Sequence, residues 1–347
     1  MARSTIRSFW LILAAVIALA GGYGVWWLKA ADQARDTLLA WIEARRAQGW
    51  TIEHGAITAS GFPGTLRLAV ETPALARPSE TRPWSWRGPE RIWVEIRPLM
   101  PNHMKAMFPG RHRLDLGPKA ALDLALQSGQ IEVAMADERL ESGHLTLEGV
   151  ELAGLPGASG KLGLGRLDLD LQDRRPARPE ELKQPSWTAA LELDALQLPP
   201  GITPPLGPRV ERARLRLALY GVPPANSGRE ALRAWSEAGG TLEAERLELK
   251  WDPLDLEGDG TLALDRDLAP MGSFFVTVKG AFDTVDALVK RGLVKPADSL
   301  VVKLALAVLA KNPPEGESGS LRLPISVQNH QLLVGPARLL RLPNWTE

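Results

Sequence analysis

Leu145-Thr146-Leu147-Glu148-Gly149-Val150-Glu151-Leu152 places apolar side chains at positions one, three, six and eight of an octet. The same spacing returns at Leu162 to Leu169, Leu191 to Leu198 and, with Ala244 at its third position, Leu242 to Leu249. A helix turning 100° per residue scatters such positions around its circumference, and a regular strand switches faces between the third and the sixth. One extra residue in the middle of each octet, a β-bulge, returns the apolar set to a single face. Repeated bulges bend and twist a sheet, so the expectation is a curved, bulged antiparallel sheet with leucines on its concave side and Glu, Asp, Arg and Thr outside. A leucine-rich sandwich, or a tight turn at each octet's centre, fits the same letters. The octets are irregularly spaced, so they establish no solenoid repeat.

Outward from the octets, alternation by two predicts further strands at Trp50 to Glu53, Thr65 to Val70, Ile92 to Ile96, Ala120 to Leu126, Gln130 to Ala134, Val210 to Leu219, Leu254 to Leu264 and Phe274 to Val278. The fold class is therefore β-rich, all-β to α+β, with a few packed helices. Helical spacing is confined to Ala30 to Gln48, Arg229 to Glu237, Thr284 to Arg291 and Ala297 to Lys311; in the last, apolar residues fall on nearly every side. Prolines cluster between Pro73 and Pro109 and between Pro176 and Pro208, which reads as loops and sheet edges. The charged stretch Arg174 to Gln184 is a candidate linker or surface loop, dividing the body 50–347 into possible lobes 50–173 and 185–347.

Residues 1–28 read as a cytoplasmic tip and a membrane anchor. Arg3 and Arg7 precede an uncharged run from Phe9 to Leu28, which as a helix spans about 30 Å. Trp10 at one end and Trp26 and Trp27 at the other suit the two water interfaces, and the positive-inside bias leaves residue 1 in the cytoplasm. The expectation is a single-pass bacterial inner-membrane protein, with a stalk helix over 29–49 and a periplasmic body. A cleavable signal peptide, with Ala18-Leu19-Ala20 as its cleavage site, is the alternative.

Chemistry has little purchase on this chain. Of 347 residues, 41 Lys and Arg balance 41 Asp and Glu, which disfavours nucleic-acid binding, and the absence of cysteine excludes disulfides, thiol catalysis and cysteine-ligated metals. His54, His103, His112, His144 and His330 are dispersed and read as solvated loop residues, so no metal site and no cofactor is expected. Gly157-Ala158-Ser159-Gly160-Lys161 has Leu155 where a phosphate loop needs its first glycine and Leu162 where it needs Ser or Thr. Trp84, Trp86 and Trp93, among Arg82, Arg87, Arg91 and Arg97, form a candidate surface contact, or a plug at one end of the β body.

One longer arrangement carries a resemblance. Leu247 to Trp251, Asp252-Pro253, Leu254 to Asp265 with Gly258 and Gly260, then Pro270-Met271-Gly272, Gly280, Leu323-Pro324, Gly335-Pro336 and Leu342-Pro343, together with Ser60-Gly61-Phe62-Pro63, resemble the alphaproteobacterial envelope family catalogued as domain of unknown function 2125. The anchor followed by a leucine-alternating body is also similar in architecture to the AsmA-like envelope proteins. The resemblance implies an envelope location and, through the second group, an association with lipids; it implies no catalytic residue.

The function expected is non-enzymatic: binding or conveying a lipid or other apolar ligand along a lining of Leu145, Leu147, Leu162, Leu164, Leu191, Leu193, Leu247, Leu249, Trp251, Leu262 and Leu264. The alternative is a structural or interaction module whose leucines fill a closed core and whose surface docks another envelope protein. Gly258 and Gly260 share the leucine parity, leaving room either for a close-packed neighbour or for an acyl chain.

Overall fold

The computed structural model describes residues 2–77, 83–98, 100–117, 120–136, 139–174, 184–221, 228–309, 320–335 and 337–341. Most of the proposed linker at 174–184, the dipeptides Pro223-Pro224 and Pro313-Pro314 and the C-terminal Leu342-Pro343 lie outside them. The chain forms two compact units, Met1–Ala134 and Met135–Glu347.

The first unit opens with one continuous helix, α1 (Ala2–Ala47), in which the expected anchor and stalk are a single rod. It ends where the sequence stops it, with Gly49 at φ 85° and its N–H bonded to the Arg46 carbonyl. Ten strands follow: β1 (Thr51–Glu53), β2 (Ile57–Ser60), β3 (Leu66–Glu71), β4 (Ala74–Arg77), β5 (Trp84–Arg87), β6 (Arg91–Arg97), β7 (Met100–Met107), β8 (Gly110–Asp115), β9 (Ala121–Leu126) and β10 (Ser128–Ala136). They pair as two antiparallel ladders, β1-β4-β5-β8-β9 and β2-β3-β6-β7-β10. Each ladder takes one half of every consecutive pair, so the unit is a five-stranded meander of long strands, each broken once along its length.

The breaks refine the sequence reading, which places the prolines between Pro73 and Pro109 in loops and at sheet edges. Pro73, Pro89 and Pro109 occupy the breaks, where a missing N–H costs the ladder nothing. Main-chain bonds bridge the same line, from Gly88 to the Pro73 carbonyl at 2.8 Å, from Thr72 to Glu90 at 2.8 Å and from Phe108 to Gly129 at 2.8 Å. Helix α1 lies on this meander. Ile42 packs with Ile52, Ile57 and Val70, and Trp27 and Ala31 with Leu66, a stripe at i, i+4 spacing. Trp41, next to Ile42 on the same helix, is 49% exposed with the Arg45 guanidinium over its ring.

His112 corrects the expectation of solvated histidines. It is buried on β8, its Nε2 2.9 Å from the Phe108 carbonyl and its ring stacked on Trp86 at 5.9 Å. Burial lowers its pKa, and the Phe108 carbonyl opposes that only in part. The unfolded chain therefore takes up a proton near pH 6.5 while the folded chain does so at lower pH. Stability should accordingly decline as the pH falls from about 6.5 toward the folded pKa, and level off below it. His112→Phe keeps an aromatic ring there and should flatten that limb of a melting curve series. Equal acid-side losses in both proteins would contradict the assignment.

The second unit is a ten-stranded antiparallel meander paired in chain order: β11 (Arg139–Ala153), β12 (Leu162–Asp173), β13 (Trp187–Gln197), β14 (Arg209–Tyr220), β15 (Thr241–Trp251), β16 (Leu254–Leu264), β17 (Pro270–Lys279), β18 (Ser320–Gln328), β19 (Gln331–Val334) and β20 (Ala337–Arg341). Three helices join it. Helix α2 (Arg229–Glu237) follows β14, and α3 (Ala281–Lys290) and α4 (Pro296–Leu309) follow β17. Trp235 fixes α2, donating its indole N–H to the Tyr220 carbonyl at 2.9 Å above Gly240, where a Cβ would lie 2.2 Å from the indole.

All four octets carry an irregularity at their fourth or fifth position. Gly149 and Ala195 have φ of 56° and 57°, and the unpaired positions Gly149, Gly165, Ala195 and Glu211 fall in line across β11 to β14. Because each extra residue is matched by one on the neighbouring strand, the register is the same on both sides of the line. On β15 the extra residue is unmatched, and the register shifts beside Leu217 and between Ala244 and Leu247. The bulges thus switch the side-chain parity strand by strand, as the octets require.

Candidate functional site

The ladder register lines the leucines up in continuous rows. One row runs Leu145, Leu169, Leu191, Leu215, Leu247, Gly258, Val276, Leu323, and the next Leu147, Leu167, Leu193, Ala213, Leu249, Leu256, Val278, Leu321. With strands about 4.8 Å apart, eight of them carry this apolar face across about 34 Å. Beyond the line of bulges the face continues through Val150, Leu164, Leu196 and Val210.

Of the eleven lining residues expected from sequence, only Leu164 is buried. Leu145, Leu147, Leu162, Leu191, Leu193, Leu247, Leu249, Trp251, Leu262 and Leu264 are half-buried and keep surface open to solvent. The rows differ at their two ends. Over β16 to β19, helices α3 and α4 close them with Val285, Val302 and Leu306 against Val276, Val278, Leu321 and Leu323. Among the described residues, no buried apolar cluster includes a side chain of β11 to β15. Trp251 is pinned at its edge, its indole N–H donating to the Gly207 carbonyl at 2.6 Å.

Gly258 and Gly260 leave no space for a ligand. A Cβ at Gly258 would sit 2.3 Å from the Phe275 carbonyl, and one at Gly260 would sit 2.2 Å from the Phe274 ring, so strand β17 fills the room. Of the two readings left open, the close-packed neighbour is the one found.

The opposite face carries the charges. Arg166 bonds Glu148 and Asp168, Arg214 lies between Glu192 and Glu248 at 3.3 Å from each, Arg212 pairs with Asp194 and Lys250 with Glu211. Arg166 foremost, and then Thr146, hold Asp168 below the ordinary carboxylate range against the effect of burial, and Arg246 does the same for Glu248. Exposed pairs of this kind are screened by solvent, so they set register and solubility more than stability.

Sequence reasoning missed a polar cavity on this charged face. About 650 Å³ in volume, it is lined by His144, Asp168, Asp170, Gln172, Thr188, Glu192, Arg216 and Glu245 among others. A second, of about 440 Å³, is bounded by Glu248, Glu257, Thr277 and Arg322. The expectation set the concavity on the leucine side; these two lie on the charged side. Inside the first, His144 Nδ1 is 2.7 Å from Asp170, Thr146 Oγ1 is 3.0 Å from His144 Nε2, and Thr146 also reaches Asp168 at 2.8 Å. The Thr146 hydroxyl donates its proton to Asp168, whose carboxylate can only accept. Thr146 is only 2% exposed, so this relay braces β11 against β12 and offers no nucleophile to a substrate. Among the described residues, no group of three or more His, Asp or Glu side chains is arranged to hold a metal ion.

Trp84, Trp86 and Trp93 each have their own neighbours. Trp84 packs edge-on against Trp50 at 5.7 Å, Trp86 stacks on His112, and Trp93 lines a cavity of about 590 Å³ with Pro89, Arg91, Pro109 and Arg111. All three are half-buried. The described side chains of α1 begin at Val16, and among the described residues no helix is long and apolar enough to cross a membrane.

Residues 27–343 match the model of a family described as "Uncharacterized protein conserved in bacteria (DUF2125)". The chain belongs to this family. No curated protein and no solved structure matches it. The match begins at Trp27, the first of the described α1 side chains to be buried against the β meander, and covers both compact units of this DUF2125 protein.

Proposed function

We propose that this protein is a non-enzymatic, membrane-anchored component of the bacterial envelope that binds or conveys a lipid or another apolar ligand along its leucine face. The observation that carries the reading is the pair of apolar rows over β11 to β15, aligned across strands and left half-open. Each buried methylene of an acyl chain contributes about 0.8 kcal/mol. The charged lattice behind the rows keeps such a sheet soluble. Anchoring is supported by the uncharged run Phe9 to Leu28 between Arg7 and Lys29, which orients the body toward the periplasm.

A second reading, an interaction module that docks a partner protein, is favoured by α4. Its outer side presents Leu300, Val301, Leu304 and Val308 at 57–65% exposure. The test is mass spectrometry of organic extracts from the full chain, purified and moved into amphipol, with Leu191→Asp/Leu193→Asp as the reference. Lipid held at about one molecule or more per chain, and lost from the variant, supports the carrier. Equal traces in both favour docking.

A further inference from the structure

The Ser60-Gly61-Phe62-Pro63 turn, which the sequence reading singled out and the leucine face does not use, joins β2 to β3 and meets α1 where the uncharged run ends. Tyr23 donates its hydroxyl to the Pro63 carbonyl, and the Trp27 indole N–H donates to the Gly64 carbonyl at 3.2 Å. The Phe62 ring stands edge-on to Trp27 at 5.5 Å and 6.3 Å from Tyr23, which in turn lies 5.6 Å from Trp26. Gly61 holds the turn, since at φ 106° a Cβ would lie 1.9 Å from the Thr65 carbonyl. Phe62 nevertheless remains 57% exposed at the tip, and Tyr23, itself on the surface, links it to exposed Trp26 on the helix. Two turn carbonyls are therefore satisfied by the helix's own donors, while the apolar ring beside them is left bare.

We infer that the 61–64 turn is a second membrane contact, with Phe62 seated at the headgroup–acyl boundary of the bilayer alongside Trp26. A lipid surface is the occupant because the bare ring continues the apolar surface of α1, which rises through Leu19, Ile17 and Val16 at 55–74% exposure. Backbone in that boundary needs its carbonyls bonded internally, which Tyr23 and Trp27 supply. Aromatic rings favour that depth, and exposed Lys29 lies one position beyond Leu28 to meet headgroups. The contact would fix the first unit at a set height on the membrane instead of leaving it to swing from a single helix. This inference rests on the anchor reading.

The chain has no cysteine, so single-cysteine variants can each carry one nitroxide label. Leu19→Cys, Phe62→Cys, Gly64→Cys and Glu53→Cys in the full chain would be reconstituted in phosphatidylethanolamine–phosphatidylglycerol vesicles. Collision rates with oxygen, which enriches in the bilayer, and with a water-soluble nickel chelate then report depth. Position 19 should report hydrocarbon, position 53 water, and position 62 a depth of about 5–10 Å at the boundary; position 64 carries the test should F62C fail to fold. If positions 62 and 64 match position 53 while 19 reports hydrocarbon, the second contact is wrong and the anchor stands. Shielding of 62 from both reagents would mean a protein cover and overturn the inference. Water access at 19 would overturn the anchor and this inference together.

Discussion

Replacing Leu191 and Leu193 together by aspartate is expected to strip the chain of bound lipid while leaving it folded. The two residues sit mid-face, Leu191 between Leu169 and Leu215, and Leu193 between Leu167 and Ala213. Each contributes about 1.5–3 kcal/mol if a ligand buries it. Losing both is about 3–6 kcal/mol, which at 1.4 kcal/mol per tenfold reduces binding by two orders of magnitude or more. Stability separates the two readings with a gentler substitution. Leu191→Ala in an open face should cost less than about 1 kcal/mol, whereas in a filled core it should cost about 2–5 kcal/mol. Denaturant unfolding of L191A beside lipid content of the aspartate pair gives both answers. A loss of several kcal/mol in a protein that holds no lipid would place these leucines in a closed core.

Gly280→Ala should be the most damaging single methyl added to the second unit. Gly280 has φ 70°, and a Cβ there would lie 1.9 Å from the Pro253 carbonyl, in the turn between β15 and β16. Its own carbonyl accepts from both the Thr284 amide at 2.9 Å and the Thr284 hydroxyl at 2.8 Å, so moving it moves the first turn of α3. That helix carries Val285 into the cluster with Val276, Val278 and Leu321. A loss of about 3–5 kcal/mol is expected from collision and left-handed strain together. Gly292 supplies the control. Its φ is 73° but nothing lies within 4 Å of its Cβ position, so Gly292→Ala should show the strain alone, about 1–2 kcal/mol. Equal losses at the two sites, measured by urea unfolding, would contradict the close approach to Pro253.

The second unit was legible because its signal is local. The apolar spacing of each octet needs one extra residue, and the structure supplies it at Gly149, Gly165, Ala195 and beside Arg246. Their alignment across strands was not legible, since register depends on which residues face each other. Helix α2 falls on the expected Arg229 to Glu237 because Gly and Pro bound a short amphipathic run. The first unit was read less well. Prolines at strand breaks look like prolines in loops, so β4, β5, β7 and β8 were hidden behind Pro73, Pro89 and Pro109. His112 and His144 were misjudged for a related reason: the Trp86 ring stacked on His112 and the Asp170 carboxylate beside His144 come from neighbouring strands of the meander. Alternate charges on Asp168-Leu169-Asp170 announced a polar face, but nothing in one strand announces a cavity of about 650 Å³ built from five.

The most direct test of the leucine face compares its two sides within one strand. A photo-crosslinking benzoylphenylalanine would replace Leu191 in one full-length protein and its neighbour Glu192, on the opposite face, in another. After illumination in cells, mass spectrometry of the purified chains identifies the adducts. A lipid-mass adduct is expected at position 191 and none at 192. A position 191 that crosslinks only to its own chain or to another protein, or lipid adducts equal at both positions, would contradict it.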